Sequence, residues 1–363
     1  MELNKNKVVV GMSGGVDSSL AAYLLKEEGY EVIGITMRLF DTYDKDDNLV
    51  YPDFIEDAKV VAKKLCIPHY VVDFREDFRK KVKNRFVNEY FKGRTPNPCV
   101  ICNKWIKYGK LLEVAHRIGA YYLATGHYAN VRYDEKSKKY RIFRGIAEKK
   151  DQSYFLHSLN QGQLKHVLFP LGKYSSKKEV RKIAKEIGAR ISKKKDSVGI
   201  CFINNGDYAS YLKAQDSSHT SAKSGNFIDI KGRIIGKHNG IINYTIGQRR
   251  GIDVESEKPM YVVEIDSEKN TVKLGEDKDT YSRGLIARDP NFTLFKNLES
   301  EMKVEVKVCQ WGWFLAATLS QMDNSNIQVL FDKKERAIAP GQAVVFYKDT
   351  EVIGGATIEK VIK

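Results

Sequence analysis

Lys7-Val8-Val9-Val10-Gly11-Met12-Ser13-Gly14-Gly15-Val16-Asp17-Ser18-Ser19 is the stretch on which the fold turns. Its first half, to Met12, is an apolar, β-branched run, the pattern of a strand buried on both faces. From Ser18 to Glu28 apolar residues recur at helical spacing, and Gly29 is placed to close that helix at the left-handed C′ position. Between strand and helix lie two glycines that let the backbone approach an anion, ahead of a helix end whose N–H groups and dipole attract negative charge. Serine and aspartate also cap helices, so an ordinary capped turn is the plain alternative. The place after a first strand and the crowding of hydroxyls favour a phosphate loop. No Gly-Lys-Ser/Thr follows, and the spaced glycines of a dinucleotide fold are absent.

Working outward, the alternation continues. An apolar segment spans Glu31–Met37, helical spacing follows at Ile55, Ala58, Val61, Ala62 and Leu65, and Tyr70-Val71-Val72 is a short strand. A helix carrying Leu111, Leu112, Ala115 and Ile118 precedes a strand at Tyr122–Thr125, and a last helix is expected over Lys177–Ile187, ended by Gly188. This alternation predicts an α/β, Rossmann-like domain with a mainly parallel sheet. Beyond about residue 207 helical periodicity largely gives way to short strand-like runs. Lys231-Gly232, Lys237-His238-Asn239-Gly240 and Glu268-Lys269-Asn270 punctuate them as turns. Two smaller β-rich domains are expected, the last barrel-like, with strands at Met302–Gln310, Asn326–Phe331 and Ala343–Lys348. The boundaries read as 1–207, 208–284 and 285–363. The polar stretch Gln215–Ser224 reads as a mobile connection.

The chain has 363 residues, 42% of them hydrophobic, which suffices for two or three cores. No run approaches the roughly 18 apolar residues of a membrane helix, and the start leads into a strand pattern, so a cytoplasmic protein without a membrane partner is expected. Lys and Arg number 61 against 46 Asp and Glu, a formal charge of +15. Such a charge attracts a polyanion by counterion release, although solubilising charge alone would read the same way. Five cysteines, an odd number, argue against a disulfide framework.

Ser13–Ser19 resembles the loop of the PP-loop ATP pyrophosphatases, which split ATP into AMP and pyrophosphate. Further motifs follow in order: Thr95-Pro96-Asn97-Pro98 leading to Cys102-Asn103-Lys104, then Ala124-Thr125-Gly126-His127-Tyr128-Ala129 and Lys150-Asp151-Gln152-Ser153-Tyr154. Asp196-Ser197-Val198-Gly199-Ile200-Cys201-Phe202, Asn243-Tyr244-Thr245-Ile246-Gly247-Gln248-Arg249-Arg250-Gly251 and Pro340-Gly341-Gln342 complete the set. Together they resemble the bacterial tRNA-specific 2-thiouridylases, the MnmA/TrmU family. The resemblance implies ATP- and Mg²⁺-dependent 2-thiolation of the wobble uridine of Lys, Glu and Gln tRNAs, with sulfur supplied by a donor protein, a cysteine desulfurase or a relay protein.

By the same resemblance, Gly11, Met12, Ser13, Gly14, Gly15, Val16, Asp17 and Ser18 hold ATP phosphates, while Met37 and Gly126 border the adenosine. Asn97, Pro98 and Cys99 face the target base. His127, Lys150, Asp151, Gln152 and Gln342 lie against tRNA. Each has a plain alternative: Met37 filling the core, His127 satisfied beside a strand end, and Lys150-Asp151 as a solvated surface pair. Cys201 is implied to carry persulfide sulfur and Cys102 to act as nucleophile. Physically, a uracil carbonyl oxygen leaves poorly until it is adenylated; a thiolate or persulfide then displaces AMP, and a second thiol resolves the disulfide. Lys193-Lys194-Lys195 would favour a thiolate at Cys201. Cys66 and Cys309 read as small buried hydrophobes.

Two departures stand out. The family pattern has aspartate where this chain has Cys99, so that residue's acid/base role does not carry over. Cys99, Cys102 and Cys201 as ligands of a [4Fe–4S] cluster, or a zinc site with Cys66, stand beside a metal-free relay. At Lys307-Val308-Cys309-Gln310-Trp311 the family's arginine and tyrosine RNA contact is absent; Trp311 and Trp313 either stack on bases or fill the barrel, and packing is expected. The rival functions are a PP-loop ligase for a small metabolite, which would not need two thiols, and a non-catalytic tRNA-binding relative.

Overall fold

The computed structural model describes residues 2–43, 48–176, 179–180, 183, 199–203 and 207–363. Chain contacts divide it into two units, one of residues 1–82, 99–198 and 349–353, the other of 83–98, 199–348 and 354–363. The expected helix at Lys177–Ile187 lies almost wholly outside the described residues, as do Lys193-Lys194-Lys195 and Asp196-Ser197-Val198.

In the first unit the strands are β1 (Asn4–Gly11), β2 (Glu31–Arg38), the small hairpin β3 (Thr42–Tyr43) and β4 (Leu49–Val50), β5 (His69–Asp73), β6 (Ala120–Ala124), the hairpin β7 (Ala129–Asp134) and β8 (Lys139–Arg144), and β9 (Val167–Leu168). Five of them form a parallel sheet in the order β5-β2-β1-β6-β9. Val8, Val9 and Val10 of the central strand are wholly buried, as a run apolar on both faces requires. Helix α1 (Val16–Glu27) packs Leu20, Ala21 and Leu25 into the core, and α2 (Asp53–Lys64) adds Ala58, Val61 and Ala62. Each buried Val or Leu contributes about 1.5–3 kcal/mol. Gly29, at φ +87°, closes α1 with Gly29 N–H donating to Lys26 O and Tyr30 N–H to Leu25 O.

The sheet order matters for function. From β1 the chain steps outward to β2 and β5, then returns to the other side of β1 for β6. The carboxyl ends of β1 and β6 therefore flank the point where the strand order reverses, the place where open α/β sheets bind ligands.

In the second unit a four-stranded sheet of order β11-β10-β13-β12 joins β10 (Gly225–Ile228), β11 (Ile234–His238), β12 (Tyr261–Asp266) and β13 (Thr271–Gly275) around Phe227, Ile241, Val262 and Leu274. Strands β14 (Tyr281–Phe292), β15 (Met302–Lys307), β16 (Leu315–Gln321), β17 (Asn326–Arg336), β18 (Ala343–Lys348) and β19 (Glu351–Ile362) follow. Their order β14-β17-β16-β15-β18-β19 closes through β14 against β19, making a six-stranded barrel. A parallel α/β sheet and two β-rich domains are thus present.

Three expectations fail here. Gln215–Ser224 is anchored: Ser221 is buried, its hydroxyl donates to Phe91 O at 2.6 Å, and His219 stacks on Phe91 at 4.1 Å. Trp311 and Trp313 do not fill the barrel; they are 79% and 84% exposed, on a tight turn where Gly312 N–H donates to Cys309 O. Cys66 and Cys309 are exposed, Cys66 because it holds the left-handed position after α2, at φ +51°. Past residue 207 strands dominate as expected, with one described α-helix, Tyr208–Gln215, started by the Asp207 carboxylate accepting from Ser210 N–H.

Candidate active site

The loop expected to bind phosphate leaves β1 at Gly11 and enters α1 at Val16. Gly14 sits at φ +65°, and any Cβ there would strike the Phe54 carbonyl. Gly15 is the N-cap and brings no side chain to occupy the N–H groups of the first turn, which leaves a helix end suited to an anion. The loop is braced from within. Ser13 N–H donates to Ser18 Oγ at 3.1 Å, and the Ser18 and Ser19 hydroxyls donate to Gly15 O at 3.2 and 2.8 Å. Met12 is buried beneath it, its carbonyl accepting the Thr36 hydroxyl at 2.9 Å. Met37 lies half-buried on β2, paired in register with Val72.

Across the reversal point, Gly126 follows β6. A Cβ on it would lie 2.6 Å from the Asp17 carbonyl carbon and 2.7 Å from Ser18 N, so only glycine lets this loop rest on the start of α1. Tyr128 reinforces the contact by donating its hydroxyl to Asp17 Oδ1 at 2.9 Å. Predicted residues at 11–18 and at 126 are thereby brought together. Gln152 docks onto the same segment, and Asp151 braces the loop before it. The Asp151 carboxylate, buried, accepts from Gly145 N–H at 3.0 Å, Ser153 N–H at 3.1 Å and the Ser153 hydroxyl at 2.9 Å. Gln152 Oε1 accepts from Tyr128 N–H at 3.1 Å. The reading of Lys150-Asp151 as a solvated surface pair therefore fails: Asp151 is a buried brace, and Lys150 is half-buried.

Cys102 ends the short helix Pro98–Cys102, which continues as a π-helical stretch, Asn103–Leu111, and then as the helix Leu112–Arg117. Wide π turns are uncommon and cluster at functional sites. Here one is held open from outside: the Gln163 amide donates to Lys104 O at 3.0 Å and to Tyr108 O at 2.8 Å. Periodicity gave no hint of it, because positions i+3 and i+4 look alike in α and π geometry. Cys102 is buried. Burial raises the Cys99 thiol above its ordinary pKa, with Lys107 pulling the other way.

His127 is buried beside Tyr108 and Thr125. Desolvation, with Lys107 adding to it, holds its imidazole well below the usual histidine pKa, so it is neutral near pH 7.

In the second unit, Ile200-Cys201-Phe202-Ile203 forms a turn. Phe202 and Ile203 are buried, Phe202 meeting Phe86 edge-on at 5.4 Å, while Cys201 points out and is exposed. The segment before Pro98 is fixed by Thr95 N–H donating to Pro340 O at 2.8 Å and by Arg94 paired with Glu359. Asn97 is half-buried and Pro98 buried. Gln342 lines a cavity of about 290 Å³ with Thr95, Thr245, Cys309, Trp313 and Arg336. Among the described residues, no three His, Cys, Asp or Glu side chains converge as a metal site, so neither the cluster nor the zinc expectation gains support. No described helix is long and apolar enough to cross a membrane.

A glycine-rich loop at the reversal point of a parallel sheet defines the class of open α/β proteins that bind ligands there, and comparison with known proteins places the chain within a family. Family models match a tRNA methyl transferase HUP domain at residues 6–205, its PRC-barrel domain at 217–276 and an aminomethyltransferase β-barrel domain at 282–358. The tRNA-specific 2-thiouridylase MnmA 1 of Caldanaerobacter subterraneus subsp. tengcongensis is 50% identical across 100% of both chains. MnmA of Clostridioides difficile is 45% identical across 99% of both. A solved 4-thiouridine synthetase–RNA complex with bound ATP matches at 18% identity and TM-score 0.37, over 58% of this chain and 50% of that one. The chain belongs to the tRNA-specific 2-thiouridylase family, whose members are tRNA sulfurtransferases.

Proposed function

We propose that this protein uses ATP to activate the wobble uridine of Lys, Glu and Gln tRNAs and replaces its O2 with sulfur carried on cysteine. The observation that carries the reading is the phosphate loop meeting the Gly126–Tyr128 loop where the sheet order reverses. Residues Gly11–Ser18 hold the ATP phosphates, and Met37 and Gly126 border the adenosine. Mg²⁺ is a hard ion that takes oxygen ligands. Asp17, the one carboxylate of the loop, is the protein group suited to it, and the ion would offset the triphosphate charge. Asn97, Pro98 and Cys99 face the base, and His127, Lys150 and Gln342 lie along the tRNA. Asp151 and Gln152 lie against the tRNA with them, and Gln152 is also bonded to Tyr128 through its side chain and backbone. Domains at 1–207, 208–284 and 285–363 divide these tasks between ATP chemistry and RNA docking.

The uracil O2 attacks the α-phosphate, pyrophosphate leaves, and the base becomes an adenylate. The terminal sulfur of a Cys201 persulfide then forms a bond to C2, and AMP departs with the former O2. The Cys102 thiolate attacks the Cys201 sulfur, which forms a Cys102–Cys201 disulfide and releases the 2-thiolated base. A thiol reductant restores the two cysteines, and a cysteine desulfurase or relay protein reloads Cys201. Exposure of Cys201 suits sulfur delivery by another protein, and burial of Cys102 keeps the second thiol from stray oxidation.

The test is release of AMP and pyrophosphate together with sulfur-labelled tRNA. Cys102→Ala and Cys201→Ala should each abolish labelling, whereas Cys99→Ala retains measurable activity. Equal loss in all three, with stoichiometric iron and acid-labile sulfide in anaerobically prepared parent, would replace the relay by a cluster.

A further inference from the structure

Tyr108 Oη, Thr125 Oγ1 and His127 Nδ1 form a buried triangle: Tyr108 to Thr125 spans 2.7 Å, Thr125 to His127 2.6 Å and Tyr108 to His127 3.0 Å. None of the three atoms has another hydrogen-bond partner among the described residues. Each edge of such a triangle holds at most one proton. Tyr108 and Thr125 bring two hydroxyl protons, and neutral His127 brings one on either ring nitrogen.

Suppose that the ring proton sits on Nδ1. It must point along one edge, one hydroxyl proton takes the Tyr108–Thr125 edge, and the other hydroxyl proton faces a nitrogen with no lone pair. A buried hydroxyl is then left unsatisfied. With the proton on Nε2, Tyr108 donates to Thr125, Thr125 donates to Nδ1, and both hydroxyl protons have an acceptor. An unsatisfied buried hydroxyl shifts the balance by roughly ten-fold or more toward the second arrangement. Packing holds the ring in place, since Phe169 meets both Tyr108 and His127 edge-on, at 5.9 and 6.0 Å. Nε2 makes no hydrogen bond among the described residues, yet it is not sealed from solvent.

We propose that Tyr108 and Thr125 are positioning residues that fix His127 with its single proton on Nε2, so that His127 offers bound RNA a hydrogen-bond donor and cannot act there as a base. The inference rests on the reading of His127 as a tRNA-facing residue. It extends that reading by giving the ring a defined polarity: the partner on the RNA must be an oxygen or nitrogen acceptor.

The experiment uses the full chain with ¹⁵N-labelled histidine, whose ring-nitrogen resonances separate protonated from unprotonated positions. The His127 signals are assigned by their loss in His127→Gln. The parent should show His127 protonated at Nε2 alone. Tyr108→Phe and Thr125→Val should each preserve that pattern, because one hydroxyl still reaches Nδ1. The double variant should lose it and show both tautomers, a non-additive result that a purely structural role would not give. Its KM for tRNA should rise roughly ten-fold, while ATP affinity stays at the parent value, and Thr125→Ser should behave as the parent. An Nδ1–H signature in the parent overturns the proposal without recourse to any variant. A tautomer that shifts in the double variant with no change in KM for tRNA overturns instead the RNA-facing reading of His127.

Discussion

Replacing Gly126 by alanine asks whether two loops must touch for ATP to be used. The added Cβ would lie 2.6 Å from the Asp17 carbonyl carbon, 2.7 Å from Ser18 N and 2.8 Å from Asp17 O. Ordinary contact begins near 3.4 Å, so the loops must part by about 0.8 Å. Every atom met is backbone, and no side chain can swing aside. Overpacking of this kind costs ~1–3 kcal/mol, which a well-packed domain survives. The rate is more sensitive, because a shift on the order of 1 Å in a positioned group costs about 10²-fold. Parting the loops also stretches the hydrogen bond from Tyr128 to Asp17. Pyrophosphate release should therefore slow about 10²-fold, with tRNA affinity near that of the parent and a melting transition that remains cooperative. Gly162→Ala, which would meet only Asn160 Oδ1 at 3.3 Å, is the control. Pyrophosphate release at the parental rate in Gly126→Ala would refute the argument.

Gly15→Ala separates fold from ligand: its Cβ would meet only Ser13 Oγ, at an ordinary 3.5 Å, so stability should hold while AMP formation falls, and unchanged AMP formation would count against a phosphate in the loop. Binding to tRNA should weaken by about 10³ to 10⁵ between roughly 50 and 200 mM salt if six to ten phosphates are contacted; a flat filter-binding response would contradict the role of the +15 charge. His157 is buried and its pKa is lowered to about 4, chiefly by desolvation. On acidification the unfolded chain takes up that proton first, so the contribution is present above the ordinary value of 6.5 and is lost as pH falls toward about 4. It amounts to about 3 kcal/mol. Urea unfolding of His157→Gln should accordingly show a shallower pH dependence across that window than the parent.

Most of the first unit could be read from its residues. Val8–Val10 could only be a strand buried on both faces, and Ile55, Ala58, Val61 and Ala62 only a helix face; both are so. The glycine pair lies where expected, between β1 and α1. What escaped was chemistry assembled across distance. The triangle of Tyr108, Thr125 and His127 joins residues 17 and 19 positions apart, through a π-helical stretch that leaves no distinct spacing. For Asp151 the plain alternative of a surface pair fails because, beside the two donors of Ser153, the fold brings the Gly145 N–H onto its carboxylate. Trp311 and Trp313 looked like core by composition, yet the turn at Gly312 carries both indoles outward. Cys66 was misjudged because a left-handed residue after a helix points its side chain away from the core.

The first unit also contains residues 349–353. Glu351 is buried and ion-paired to Arg141, 210 positions earlier, and Arg144 N–H donates to Thr350 O at 2.8 Å. On the ribosome, where the chain emerges in order, the hairpin of β7 and β8 must wait for that partner until nearly everything between has been made. A fragment cut after the parallel sheet would leave Arg141 without Glu351 and the β8 edge open to other strands. The enzyme should thus reach a protease-resistant ATP-binding unit only once residue 353 has cleared the exit tunnel, and arrest of translation before that point should leave the hairpin open to cleavage.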